Sequence, residues 1–244
     1  MAHCGSGRRS SVRDGLDVYY LGMTKTAHHE EIEIKLRVRD VDAFRSRLKR
    51  LHAREISPRT YESNTLYDTP RHDLRRHGQL IRIRIEHSAS RFGKRHPREA
   101  TPAILTYKGP SNSPRGPGKT GIHSQIRNHF KIKDEAEVSV ANADEMARIL
   151  HALGLQPVFR YEKFRTTYAL PGIHRLKVEF DETPVGIYLE LEGPVKAIDR
   201  GASRLGYERK DYLKETYGSL YLADCRRRGQ KPGNMLFPPT RKLR

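Results

Sequence analysis

The segment Glu31-Ile32-Glu33-Ile34-Lys35 constrains the fold of this chain more than any other. A β-strand places alternate side chains on opposite faces, so Glu31, Glu33 and Lys35 share one face and the isoleucines share the other. A single charged strand face normally lies in water. The consequence for function therefore depends on whether other strands carry matching charged faces.

The chain repeats this pattern in two similar halves, each predicted to contain a strand, a helix and three further strands. The first half has a helix capped by Asp40 or Asp42 and strands at 60–68, 79–86 and 103–108. The second half has a strand at 130–140, a helix capped by Asn142 or Asp144, and strands at 159–168, 175–181 and 187–192. Two C-terminal helices are predicted at 195–205 and 210–225.

Eight amphipathic strands predict a mainly β (α+β) fold, a closed eight-stranded antiparallel β-barrel with flanking helices. If the helices cover the apolar strand faces outside, the charged faces line the interior. Unpaired buried ions are costly, so such an interior must be a hydrated tunnel that holds a ligand. A polyphosphate with divalent cations would suit side chains of both signs. The alternative is a sandwich whose charged faces lie in water, but the paired carboxylates recur on three strands and favour the tunnel.

The net charge of +18 predicts a polyanionic partner. Residues 1–28 are predicted to form a disordered leader, 29–225 the tunnel domain and 226–244 a basic tail. Two cysteines far apart in the sequence predict a reducing cytoplasm. No apolar run approaches the ~20 residues that a membrane helix needs, so we expect a cytoplasmic protein without membrane contact.

The segment 31–35 resembles the ExExK signature of the CYTH superfamily, the triphosphate tunnel metalloenzymes that include class IV adenylate cyclases and thiamine triphosphatases. The resemblance covers about residues 30–225. It is also carried by the segments 64–70, 80–84, 105–110, 161–165 and 189–192. It implies a tunnel that binds a triphosphate together with Mg²⁺ or Mn²⁺.

The resemblance also implies roles for particular residues. The metal ligands it implies are Glu31, Glu33, Glu190 and Glu192, with Glu135, Glu137 and Asp181 as further candidates. The phosphate clamp it implies is Lys35, Arg82, Arg84, Lys108, Lys133, Lys163 and Arg165. Lys133 stands where the family often has arginine, and lysine lacks the bidentate fork. The catalytic residues are predicted to be Glu31, Glu33 and Lys35.

Three functions remain open from the sequence. The first is a class IV adenylate cyclase-like conversion of ATP to cyclic AMP and pyrophosphate. The second is a triphosphatase acting on inorganic or thiamine triphosphate. The third is a non-catalytic barrel that binds polyphosphate or RNA, which the basic loops at 87–102 and 111–128 would suit. The paired carboxylates repel a bare polyanion and argue against nucleic acid as the partner, and a homodimer is left open.

Overall fold

The computed structural model of the protein describes residue 1 and residues 29–88, 101–110 and 129–238. The predicted leader beyond Met1, most of the basic loop at 87–102, the whole loop at 111–128 and residues 239–244 lie outside the described residues. Within the described ranges, no helix is long and apolar enough to cross a membrane.

Eight antiparallel strands close into a barrel, which confirms the predicted fold. The strands are β1 (His29–Val38), β2 (Arg54–Asp68), β3 (Leu80–Ser88), β4 (Ala103–Lys108), β5 (Lys131–Val140), β6 (Gln156–Ala169), β7 (Lys177–Thr183) and β8 (Gly186–Glu192). Around the barrel their order is β1-β5-β4-β3-β2-β6-β7-β8. The first strand of each half pairs with the last strand of the other half, so neither half closes on its own.

The helices flank the barrel, and their starts follow from the caps. They are α1 (Val41–Arg50), α2 (Asp73–Arg76), α3 (Ala143–Ala152), α4 (Val195–Leu205) and α5 (Tyr217–Arg228). The Asp40 carboxylate caps α1 by accepting a hydrogen bond from the Ala43 amide at 2.9 Å. Asn142 caps α3 through the amides of Asp144 and Glu145. Each cap satisfies amides that the first helical turn leaves without a partner.

The hydrophobic core lies outside the barrel wall, between the strands and the helices. Phe44 of α1 stacks on Phe180 of β7 with ring centroids 5.3 Å apart, and Ile198 of α4 is buried in the same cluster. A second cluster joins Leu150 of α3 to Ile83 of β3. Each fully buried side chain of this size contributes about 1.5–3 kcal/mol. Because the apolar strand faces are covered outside, the charged faces point into the barrel.

The last helix begins at Tyr217, so its predicted start at residue 210 is wrong. Leu213, which has helical spacing in the sequence, instead exchanges two backbone hydrogen bonds with Lys35 of β1, each 2.9 Å long. Thr216 is the N-cap, and its hydroxyl accepts from the Ser219 amide at 3.1 Å. Pairing with the barrel therefore overrides the local helical pattern. β2 is also longer than predicted, because its pairing with β6 extends back to Arg54.

Residues 233–238, here called the C-terminal strap, pack against β6, although the sequence predicted a basic tail from residue 226. Met235 is 1% exposed. Its amide donates to the Arg160 carbonyl and its carbonyl accepts from the Glu162 amide, both at 3.0 Å. β7 pairs with β6 only from Phe164 onward, so the strap covers an edge of β6 that β7 leaves open.

Candidate active site

The inward faces of the strands enclose a charged cavity of about 250 Å³. The carboxylates that line it are Glu31, Glu33, Glu135, Glu137, Glu179, Glu190 and Glu192. The bases that line it are Lys35, Arg82, Arg84, Lys108, Lys131, Lys163, Arg165 and Lys177. The remaining lining residues are Leu66, Leu80, Phe159, Tyr161, Thr216, Tyr217 and Gly218.

β1 and its neighbour β8 form an acidic wall of this cavity. Glu33 lies directly across from Glu192, and Lys35 lies directly across from Glu190. The Lys35 ammonium bridges the two strands, 3.2 Å from Glu33 and 2.8 Å from Glu190. Lys131 of β5 forms a second ion pair with Glu33. The fold therefore brings together acidic residues from near the start and near the end of the barrel sequence.

Two carboxyl groups compete for one ammonium beside this wall. Lys108 of β4 forms an ion pair with Glu31 and lies 3.2 Å from Glu135 of β5. Burial, opposed by Lys108 and reinforced by Glu31, raises the pKa of Glu135 to about 7. A bound cation would reduce the electrostatic repulsion between carboxyl groups that lie this close together.

Two arginines of β3 face the cavity with part of their hydrogen-bonding capacity unused. Arg82 donates to Thr106 at 3.0 Å and to Glu137 at 3.2 Å. Its Nε is buried and has no hydrogen-bond partner in the described part of the chain. Arg84 donates through Nε to Asn64 at 3.2 Å. A buried donor without an acceptor costs about 1–3 kcal/mol, so the wall favours a ligand that brings oxygen atoms.

Two carboxylates that do not line the cavity hold the bases of β6 from behind. Asp181 of β7 is fully buried and accepts hydrogen bonds from Lys163 at 2.9 Å and from Arg165 at 2.6 and 2.7 Å. Glu62 of β2 lies 3.4 Å from Lys163 and 3.6 Å from Arg165. Burial alone would raise the pKa of Glu62, but the surrounding bases, Lys163 above all, hold it well below its usual range.

Six of the seven predicted metal ligands line the cavity, and the seventh, Asp181, lies behind the bases just described. Among the predicted clamp residues, Lys133 does not line the cavity, and its ammonium donates to the Gly78 carbonyl at 3.0 Å. Burial and the nearby Lys131 and Lys108 lower the pKa of Lys133 to about 8. Lys131, two residues earlier on the same strand face, lines the cavity instead.

Sequence reasoning omitted several residues that the structure places at the site. Strand alternation alone could have added Lys131, Lys177 and Glu179, because each is in phase with a residue that was chosen. Glu62 lies on β2, where no residue had been chosen. Burial raises the pKa of Glu179 to about 8, although Arg165 lies 2.5 Å away. The position of Tyr217 in the cavity had no comparable signal, since its helical spacing is equally typical of packing.

The donor chemistry of the lining fits a hard divalent cation, because Mg²⁺ and Mn²⁺ prefer carboxylate oxygens. Each lining carboxylate is ion-paired with a lysine or an arginine in this arrangement. Among the described residues, no cluster of three or more His, Cys, Asp or Glu side chains is arranged to hold a metal ion. A bound cation would have to replace lysine partners at the crowded carboxylates.

Comparisons with known proteins agree with this geometry. The sequence model of the CYTH domain family matches residues 29–217. A Methanocaldococcus jannaschii protein named "putative adenylate cyclase" is 24% identical over 170 residues, which cover 69% of this chain and 79% of that protein.

Solved structures share the fold. A Vibrio parahaemolyticus structure, also named a "putative adenylate cyclase", matches with a TM-score of 0.57 and 16% sequence identity. The match covers 78% of this chain and 96% of the Vibrio chain. A Hippeastrum structure matches with a TM-score of 0.51 and 16% sequence identity, and the match covers 83% of this chain and 97% of the Hippeastrum chain. That plant protein is described as a "putative adenylyl cyclase" with a dominant triphosphatase activity.

Proposed function

The chain belongs to the CYTH domain family, and we propose that it is a divalent-metal-dependent enzyme acting on a triphosphate group inside its barrel. Our first candidate is a class IV adenylate cyclase-like reaction that converts ATP to cyclic AMP and pyrophosphate. The observation that carries the proposal is the lining itself. Eight bases and seven carboxylates surround a single cavity, and this mixture suits a polyphosphate bound with cations.

The bases supply the electrostatic part of the chemistry. Arg82 and Arg84 of β3, and Lys163 and Arg165 of β6, offer charge-assisted hydrogen bonds to phosphate oxygens. Phosphoryl transfer asks a protein mainly for positioning and for stabilisation of developing negative charge.

The carboxylates that would hold Mg²⁺ or Mn²⁺ are Glu31, Glu33, Glu190 and Glu192, with Glu135 and Glu137 as further ligands. When bound there, the cation would neutralise phosphate charge and polarise the phosphoryl oxygens. The other predicted ligand, Asp181, is already saturated by hydrogen bonds from bases of β6.

In the cyclase reaction the ribose 3′-oxygen bonds to the α-phosphorus, and the bond from that phosphorus to the bridging oxygen breaks. Pyrophosphate leaves with the bonding electron pair, and the hydroxyl proton passes to a carboxylate of the lining. No nucleophilic side chain is needed. Phe159 and Leu66 offer an apolar surface against which an adenine ring could pack.

Hydrolysis of a terminal phosphate is the second candidate, and two observations favour it. The lining is charged over most of its extent, which suits phosphate groups better than a base. The Hippeastrum protein with the same fold is described as having a dominant triphosphatase activity. Inorganic triphosphate and thiamine triphosphate are the substrates to test.

Product analysis distinguishes the candidates. The protein would be incubated with ATP, inorganic triphosphate or thiamine triphosphate, with Mg²⁺ or Mn²⁺ present or removed by a chelator. Cyclic AMP with pyrophosphate supports the cyclase, and orthophosphate supports the triphosphatase. Binding of triphosphate without any metal-dependent product would contradict both and would favour the non-catalytic barrel.

A further inference from the structure

Helix α5 closes one end of the cavity with its first residue. Tyr217 is 6% exposed and lines the cavity together with its neighbours Thr216 and Gly218. Its hydroxyl donates a hydrogen bond to Asp181 at 2.5 Å. A buried tyrosine hydroxyl usually has a hydrogen-bond partner, and here that partner is a carboxylate that also holds two bases of the cavity.

Asp181 connects this hydroxyl to two cavity bases. One of its carboxylate oxygens accepts from Tyr217, from Lys163 and from Arg165, and the other accepts from Arg165. The carboxylate is thus fully saturated while completely buried. Its orientation determines where Lys163 and Arg165 lie, because side chains that share one fully bonded carboxylate move together.

The ring of Tyr217 also contacts the cavity lysines. The ammonium groups of Lys35 and Lys163 lie 5.2 and 5.3 Å from the ring centroid, within the range of a cation–π interaction. On its other sides the ring meets Tyr188 at 5.8 Å and Tyr161 at 6.2 Å between centroids. A single side chain of α5 therefore contacts Lys35 of β1, Lys163 of β6 and Asp181, the acid that Lys163 shares with Arg165.

The start of α5 is tied to the barrel on both sides. Leu213 pairs with the backbone of Lys35 before the helix, and the C-terminal strap pairs with β6 after it. Met235 of the strap belongs to the same buried cluster as Tyr217. These attachments place the Tyr217 hydroxyl at a defined position inside the barrel.

We propose that Tyr217 is a positioning residue that holds Asp181, and through it Lys163 and Arg165, in the orientation that binds the triphosphate. This inference rests on the proposed function. Without the hydroxyl, an oxygen of Asp181 loses one donor and draws Lys163 away from the cavity, which weakens phosphate binding. The phenol supplies this hydrogen-bond donor without a positive charge. A bound phosphate therefore does not compete with Asp181 for it.

The test compares Tyr217→Phe with Tyr221→Phe, a matched change one helical turn later, where the hydroxyl accepts from the Gly233 amide instead. Tripolyphosphate binding is measured by calorimetry, together with Tm, kcat and KM. We expect Tyr217→Phe to weaken binding about tenfold, as for loss of a hydrogen bond to a charged group. KM should rise by a similar factor, kcat should change less than about twofold, and Tyr221→Phe should bind like the unchanged protein.

A double-mutant cycle with Asp181→Asn separates positioning from simple packing. If Tyr217 acts through Asp181, the double variant binds no more weakly than Asp181→Asn alone. If Asp181→Asn does not fold, Arg165→Lys replaces it in the cycle, and the loss in the double variant is then expected to be less than the sum of the two single losses, because Tyr217 still acts on Lys163 through Asp181. Fully additive losses would overturn the inference.

The outcomes also separate this inference from the proposed function. If the unchanged protein binds no tripolyphosphate, the proposed function fails. If the unchanged protein binds it and Tyr217→Phe binds equally well, only the role of Tyr217 fails. If Tyr217→Phe loses affinity and its Tm also falls to a comparable extent, the loss reflects general destabilisation, and the positioning role is overturned. The same holds if Tyr221→Phe loses as much affinity as Tyr217→Phe.

Discussion

Glu33 and Glu192 face each other directly across β1 and β8 inside the barrel. Like charges in directly opposed positions destabilise a sheet unless cations separate them. Here lysines do so: Lys35 and Lys131 pair with Glu33, and Lys177 lies 3.1 Å from Glu192. The metal binding proposed above would require a cation to replace these lysines at the two carboxylates.

The first prediction concerns the acidic wall. Glu31→Gln combined with Glu33→Gln should abolish metal-dependent turnover, because amide side chains are much weaker ligands for a divalent cation. The control is Glu30→Gln, which changes an exposed residue directly before Glu31, on the opposite strand face. Product formation and Tm are measured for all three proteins. Full activity in the double variant would remove these residues from the metal site.

The second prediction concerns the phosphate clamp. Arg84→Ala should weaken tripolyphosphate binding by about 10- to 100-fold, corresponding to loss of charge-assisted hydrogen bonds worth about 1.5–3 kcal/mol. Arg148→Ala is the control, because Arg148 is exposed on α3, away from the cavity, and forms a surface ion pair with Glu145. Calorimetric titration gives both affinities. Equal binding by both variants would show that Arg84 does not reach the ligand.

The third prediction concerns the acid behind the bases. Glu62→Gln should lower Tm at neutral pH by roughly 6 °C or more, because removing one partner of a buried ion pair costs about 3–5 kcal/mol. Glu86→Gln is the control, since Glu86 lies directly opposite Glu62 on β3 but is exposed. Exposed ion pairs contribute little, so its Tm should hardly change.

The pH dependence of the same variants has a defined sign. The pKa of Glu62 is lower in the folded protein than in the unfolded chain, so its stabilising contribution is complete above the unfolded value of about 4.3 and is lost as the pH falls toward the folded value. The Tm difference between the unchanged protein and Glu62→Gln should therefore narrow below about pH 5. A difference that stays constant down to the acid transition would contradict this assignment.

The fourth prediction concerns the C-terminal strap. Met235→Ala should cost about 2–5 kcal/mol, because the side chain is fully enclosed, and should lower Tm by roughly 4 °C or more. The neighbouring Leu236 is 38% exposed, so Leu236→Ala is a matched control with little expected effect. Thermal unfolding measures both. A comparable Tm for the two variants would mean that the strap contributes nothing to stability.

The barrel could be predicted because strand alternation is local information. Within a β-strand, residues two apart share a face regardless of the fold that the strand belongs to. The charges of Glu31, Glu33 and Lys35, once matched by charged faces on other strands, therefore imply a common interior. The caps were narrowed to Asp40 or Asp42 and to Asn142 or Asp144 for the same reason, since a cap acts within its own first turn, and the structure has Asp40 and Asn142.

The rest depends on contacts between distant parts of the chain. Leu213 leaves its helical pattern because the backbone of Lys35 is available to pair with it. Lys131 lines the cavity and Lys133 does not, although both lie on one strand face, because the Lys133 ammonium donates to the Gly78 carbonyl instead. Tyr217 and Asp181 come together only after the barrel has closed and α5 has docked.

The most direct test of the central claim is a crystal structure of the protein with tripolyphosphate and Mn²⁺, using the anomalous signal to locate the metal. We predict an anomalous peak for Mn²⁺ in direct contact with carboxylate oxygens of Glu31, Glu33, Glu190 or Glu192, with phosphate groups contacting Arg84, Lys163 and Arg165. Tripolyphosphate bound on the outer surface, with an interior that holds neither metal nor phosphate, would contradict the account.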